Sequence, residues 1–185
     1  MMKIAHNQPT QEYLNECFRY DPKTGHLFWK VRPLHHFNSS HGMNITNSQF
    51  SNHRAGTLQS KGYVAVMVNG KGYRAHRIIW MMIHGLFPPD ELDHVNHQRD
   101  DNRIENLRLA TSQENKRNSS ISRRNTSGVI GVCWDKRRGK WKAQIHGGGN
   151  RTIYLGDFVD KLDAIKARET ANKKYNFHAN HGATI

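Results

Sequence analysis

A polar, small and basic stretch between Asn115 and Gly128, holding Lys116, Arg117, Ser119, Ser120, Arg123, Arg124 and Ser127, carries no apolar periodicity. It therefore divides the chain. A stretch of this kind cannot bury enough apolar surface to pack, so it reads as a linker over 119–126. With 185 residues in all, each side has room for one modest core and no more.

Before the linker the patterning is mixed. Thr10 caps a short helix bearing Tyr13, Leu14, Cys17 and Phe18, and Asp21-Pro22-Lys23-Thr24-Gly25 turns the chain into a strand at Leu27 to Val31. From Pro33 to Asn52 the sequence is rich in His, Asn and Ser without periodicity and reads as a long loop. Val64, Val66 and Val68 alternate ahead of Asn69-Gly70-Lys71-Gly72, the pattern of a β-hairpin. A buried helix then runs from His76 to Gly85, stopped by that glycine and by Pro88-Pro89.

Beyond the linker, strands are expected at Gly131 to Trp134, Trp141 to Ile145 and Thr152 to Leu155, with reversals at Gly139 and Gly147-Gly148-Gly149. A helix follows from Asp160 to Tyr175, placing Ala164, Ala167 or Arg168, Ala171 and Tyr175 on one face. Small alanines let such a helix lie close on a sheet.

Charge narrows the partners. Lys and Arg outnumber Asp and Glu by 28 to 15, a formal net charge of +13 with 13 histidines uncounted, so the partner is expected to be a polyanion. The longest apolar run, Ile78 to Ile83, falls far short of the about 20 residues of a membrane span. Cys17 and Cys133 form no CxxC pair, which argues against a disulfide scaffold or a cysteine-based zinc site. The expected setting is a reducing, cytoplasmic one.

The chemistry concentrates in Glu91 to Lys116. A strand ending at Asp93-His94, a partner at Arg108 to Thr111, and a helix starting at Ser112 would gather Asp93, His94 and Asn115. A carboxylate and an amide oxygen are hard donors suited to Mg²⁺ or Mn²⁺. An imidazole beside them, on the opposite side of the strand end, is suited to deprotonating water.

Asp93-His94, the run Asp101-Asn102-Arg103-Ile104-Glu105-Asn106-Leu107-Arg108, and Asn115 together resemble the HNH (His-Me finger, ββα-metal) nucleases, in particular the phage homing-endonuclease branch. Tyr20 to Gly25, Lys61-Gly62-Tyr63 and Ala75 to Trp80 extend the resemblance over roughly 17–118. It implies His94 as general base, Asp93 and Asn115 as metal ligands, and Asn106 as the residue that holds the loop and so orients His94. Asparagine in the third motif position favours Mg²⁺ (or Mn²⁺) over tightly held zinc. His97 reads either as an extra ligand or as a solvated loop residue. His76 and Arg77 read either as phosphate contacts or as parts of a structural helix. The histidines His35, His36, His41 and His53 show no ligand spacing.

The C-terminal part resembles the Apetala-type, ethylene-response-factor DNA-binding domain over about 126–177, through Ser127 to Val132, Gly139 to Ile145 and Tyr154 to Phe158. Cys133, Gln144 and His146 depart from that pattern at base-reading positions, so no target sequence carries over. Independently, Lys116, Arg117, Arg123, Arg124, Lys136, Arg137, Arg138, Lys140 and Lys142 face the single acid Asp135 within 116–142. Such a stripe releases counterions from phosphate. Trp134, Gln144, His146, Arg151 and Tyr154 are candidate base readers, and Arg103 is a candidate phosphate contact.

The expected fold is α+β: a ββα-metal (HNH) nuclease domain over 1–118 with an N-terminal β-hairpin extension and a catalytic core about 76–118, then the linker, then a small three-stranded antiparallel sheet packed on one helix over 127–185. The expected function is metal-dependent cleavage of double-stranded DNA, nicking in the simplest case, by a monomeric phage protein in the bacterial host cell, needing no small-molecule cofactor and no membrane. The alternative is a catalytically inactive, sequence-specific DNA-binding regulator.

Overall fold

The computed structural model describes residues 8–117, 121–122, 124–147, 151–177 and 181–182, with the side chains of Gln113, Lys116 and Arg117 outside the described atoms. These residues form a mixed α and β structure with several small sheets. They divide into two compact units, one of residues 1–94 with 98–109, the other of 95–97 with 110–185. The division falls at Leu109 and Ala110, whereas composition places the linker at 119–126.

In the first unit, α1 (Gln11–Cys17) begins at Thr10, whose hydroxyl accepts from the Tyr13 N–H. The chain passes directly into β1 (Phe18–Asp21), which pairs antiparallel with β2 (His26–Trp29) in the register Phe18 to Trp29. Sequence periodicity had carried Phe18 into the helix. It is a strand residue, and the turn between the strands is closed by Asp21, whose carboxylate accepts from the Lys23 N–H and the Thr24 hydroxyl.

The stretch expected to be a loop is instead largely helical: a 3-10 turn at Leu34–His36 and α2 (Ser40–Phe50). No residue of α2 is buried, which explains why hydropathy gave no sign of it. Polar groups hold it in place of an apolar stripe. Ser39 caps it at the Gly42 N–H, and the Asn47 side-chain amide clasps the Arg32 backbone, accepting from its N–H at 3.0 Å and donating to its carbonyl at 2.9 Å.

β3 (Thr57–Leu58), β4 (Val64–Val68) and β5 (Lys71–Arg74) make an antiparallel three-stranded sheet. The β4–β5 reversal is tighter than the sequence suggested. Asn69 and Gly70, at φ 50° and 75°, form it alone, matching the strand twist as a two-residue turn with both positions left-handed must. α3 (Ala75–His84) follows at once, packs on α1, β4 and β5, and ends at Gly85 in the left-handed conformation. Leu14, Phe18, Val66, Ile78 and Ile79 are the buried centre of this core. β6 (Glu91–His94) and β7 (Leu107–Ala110) form a separate two-stranded sheet.

In the second unit, α4 (Ser112–Arg117) is capped reciprocally: the Thr111 hydroxyl accepts from the Glu114 N–H, and the Glu114 carboxylate accepts from the Thr111 N–H and hydroxyl. The strands β8 (Val132–Asp135), β9 (Lys140–His146) and β10 (Thr152–Phe158) form an antiparallel sheet in the order β10-β9-β8. α5 (Lys161–Lys174) packs across all three, capped by Asp160 at the Leu162 N–H. Of the two residues the sequence left open on its inner face, Arg168 is the buried one.

Burying Arg168 is tolerable because its donors are used. Its guanidinium donates to the Gln144 carbonyl at 2.5 Å and to Asn172 Oδ1 at 2.9 Å, and lies 3.0 Å from His181 Nε2. Desolvation nevertheless lowers its pKa from the usual 12.5 to about 10. We expect Arg168→Ala to destabilise the protein by about 1–3 kcal/mol, the cost of a carbonyl left unpaired in the interior. Urea unfolding followed by tryptophan fluorescence measures this, since Trp134 and Trp141 lie in the same unit.

Candidate active site

The site begins with β6. Leu92, Asp93 and His94 are successive buried residues, although two of them are ionisable. A carboxylate and an imidazole are carried into the interior only where partners replace the lost water. Arg108, on the paired strand β7, supplies one: its Nη2 and Nε donate to Asp93 Oδ2 at 2.9 and 3.2 Å. This pair also fixes the rotation of the carboxylate.

His94, 3% exposed, has its Nε2 3.1 Å from Oδ1 of Asn102, itself 2% exposed. A carbonyl oxygen only accepts, so Nε2 carries the proton and Nδ1 is left as the basic nitrogen. Burial pushes the His94 pKa below its usual value; the bond from Asn102 and the charges of Asp93 and Asp101 push it back. His76 closes another side, its ring edge-on to that of His94 with centroids 4.9 Å apart, and Tyr63 lies 5.9 Å from His94.

Asn102 is held in turn by the N-terminal hairpin. The Tyr20 hydroxyl donates to the Asn102 carbonyl at 3.3 Å and accepts from the Ile104 N–H at 2.9 Å. Gly25, at φ 73°, packs so closely here that a Cβ would stand 2.5 Å from the Arg103 nitrogen and 2.7 Å from the Asn102 carbonyl carbon. Asn106 holds the other end of the loop, donating to the Asp101 carbonyl at 2.8 Å. Asn102, which sequence reasoning had treated as loop-shaping, thus accepts a hydrogen bond from the His94 ring. The presence of Tyr20 to Gly25 among the residues that carry the sequence resemblance was the available sign.

The remaining predicted residues are placed as follows. Arg103 is engaged by Asp101, at 2.7 and 2.8 Å, and by Glu105 at 3.1 Å, so as a phosphate contact it starts with its charge compensated. Asn115 lies on α4, in the second unit. Arg123 and the side chains of Lys116 and Arg117 lie outside the described residues. Arg124 is exposed.

On the second unit, Ala143 and Ile145 of β9 face α5, so the alternate residues Lys140, Lys142, Gln144 and His146 share the opposite face. The register brings Tyr154 beside Gln144 and Asp157 beside Lys142, with a bulge at Leu155 that lets both point the same way. Arg137 and Arg138 lie in the β8–β9 turn, where Asp135 accepts from both backbone N–H groups, and Arg138 is paired with Asp157 at 2.5 Å. Arg151 is exposed and immediately precedes β10. Trp134 is 45% exposed, as expected, but it pairs with Trp141, ring centroids 5.3 Å apart, and so lies on the α5 side of the sheet and not on the face of Gln144. Strand parity decides this, because a one-residue change of register moves a side chain to the other face.

Residues 73–117, which include β6, β7 and the loop between them, match the family model described as HNH endonuclease, so the chain carries an HNH endonuclease domain. Over 82 residues the chain is 32% identical to Protein 3.8 of Escherichia phage T7, a match spanning 44% of this chain and 68% of that protein, and it belongs to the same family. No solved structure matches the chain significantly. No helix among the described residues is long and apolar enough to cross a membrane.

Two outcomes are expected. Tyr20→Phe strands the Ile104 N–H, a loss of about 1–3 kcal/mol, and frees Asn102, so it lowers turnover more than DNA affinity; cleavage and gel-shift titrations compare the two. For His76, burial and the neighbouring His94 lower the folded pKa from 6.5 to about 3. Between those values the unfolded state binds the extra proton, so this contribution to stability is complete above pH 6.5 and lost as pH falls toward 3. The thermal midpoint of His76→Phe is therefore expected to decline less between pH 7 and 4.5 than that of the wild type.

Proposed function

We propose that this chain is a metal-dependent, homing-type endonuclease that hydrolyses phosphodiester bonds in double-stranded DNA, nicking one strand. The observation that carries the reading is His94, buried in the HNH-matching segment with its Nε2 proton committed to Asn102 and its neighbour Asp93 held by Arg108. In this arrangement His94 takes the proton of the attacking water at Nδ1, while Asn102 keeps the ring in the tautomer that permits it. The Asp93 carboxylate and the Asn115 amide oxygen are the donors that would hold a divalent ion. Both are hard oxygens, which fits Mg²⁺ or Mn²⁺. Such an ion, when bound, supplies charge stabilisation at the scissile phosphate and the departing 3′ oxygen.

The domain scheme of the sequence stands as part of this proposal: a nuclease part to about 118 and, from about 127, a DNA-reading unit of the Apetala type. Its outer face supports the reading. Lys140, Lys142, Gln144, His146 and Tyr154 share one side of a three-stranded sheet, cations for phosphate beside groups able to pair with base edges.

Supercoiled-plasmid cleavage with and without Mg²⁺ tests the catalytic claim. His94→Ala is expected to lose about 10²- to 10⁴-fold in rate, the usual worth of general-base help, with gel-shift affinity retained. Accumulation of open circles marks nicking, whereas linear product at equal rate overturns that element. A wild type that binds duplex DNA but never cuts it overturns the nuclease and favours the regulator. For the second unit, Lys142→Ala is expected to lower the slope of log affinity against log salt by about 0.9, the value of one phosphate contact.

A further inference from the structure

Away from the HNH segment, three side chains converge on one point. Oε2 of Glu16, in the last turn of α1, lies 2.8 Å from His35 Nε2 and 2.6 Å from His36 Nε2. The two histidines are consecutive on the 3-10 turn, where their rings meet edge to face with centroids 4.6 Å apart. One carboxylate oxygen thus receives the same nitrogen from two imidazoles. All three donor atoms lie within 4.8 Å of one another.

We propose that Glu16, His35 and His36 form a binding site for a zinc-class divalent cation, distinct from the ligands of the nuclease reaction. Two imidazoles and a carboxylate are a known zinc donor set, with bonds of about 2.0–2.2 Å and the fourth position taken by water. Binding uses the Nε2 lone pairs, so a proton on Nε2 moves to Nδ1 of a neutral ring or is released to water from a protonated one, and the cation takes its place between the same atoms.

The surroundings are built as metal-bound imidazoles require. His36 has none of its side chain exposed, and its other nitrogen, Nδ1, faces the sulfur of Cys17 at 3.6 Å. A partner on the far nitrogen fixes the tautomer and orientation of a ligand histidine. Tyr13 stacks on the same ring at 4.3 Å and 26°, which locks its plane. His35 and Glu16, by contrast, are 64% and 44% exposed, so a cation has a path from solvent. Once bound, it would staple the end of α1 to the turn preceding α2, a join otherwise made by hydrogen bonds and ring stacking.

The test uses the full chain stripped of metal and carrying Asp93→Asn, which removes the charged one of the two proposed nuclease ligands from the measurement. Zinc is titrated by calorimetry, and Co²⁺ is added in parallel to read visible absorption bands of a four-coordinate site. One equivalent is expected to bind in the micromolar range or tighter and to raise the thermal midpoint. Glu16→Gln and His35→Ala, both at exposed positions, are each expected to weaken binding by more than about 100-fold, beyond the roughly 10- to 100-fold that loss of an outer-shell partner costs, with circular dichroism unchanged. Absence of stoichiometric binding overturns the proposal. So does binding that survives both substitutions, which would assign the metal to other histidines.

Discussion

Holding a neutral imidazole inside a strand end is the constraint from which the first unit follows. His94 has surrendered its water and has instead the side-chain amide oxygen of Asn102, to which it donates, and the His76 ring edge. Asn102 can serve only if its own backbone is fixed, and it belongs to a segment between strands in which Val95 and Ile104 are the apolar residues, too few to anchor it. The hairpin β1–β2 provides the fixing, through one phenolic hydroxyl and the absence of one Cβ. An element that looks like an appendage in the sequence is therefore part of the site's foundation.

The second unit solves a different problem, that of displaying polar groups from a very small core. Val132, Ala143 and Ala164 are its buried centre, and small residues of this kind bring α5 close to the sheet. Arg168 crosses that narrow gap and binds the β9 backbone directly, doing with donors what a larger apolar side chain would do with volume. The bulge at Leu155 matters equally. It restores the alternation that sets Tyr154 and Asp157 on the same side as Gln144 and Lys142.

What the sequence revealed depended on the kind of force involved. Thr10, Gly85 and Asp160 marked helix ends because capping is local chemistry, and Val64 to Val68 announced a strand because one face of it is buried. α2 escaped notice because capping at Ser39 and the Asn47 clasp on Arg32 leave no periodic trace. Asp93 and His94 were visible through their motif, whereas the contact from Asn102 was not, since which of several loop asparagines reaches the ring depends on the loop path. The face that Trp134 shares was hidden for a similar reason: on a short strand a single residue of register decides the side on which an aromatic lies. Glu16, His35 and His36 are separated by a hairpin, and only the antiparallel return of β2 brings them together.

The bond between Tyr20 and Ile104 joins residues separated by 84 positions. Contacts of such long range close large loops and therefore form after local ones. During synthesis the hairpin emerges first and waits while the segment it must grip is still being made. The imidazole gains its Asn102 partner only when nearly the whole first unit is present, so a truncated or half-folded chain lacks the oriented His94 ring. The order of assembly itself thus acts as a safety catch on the site.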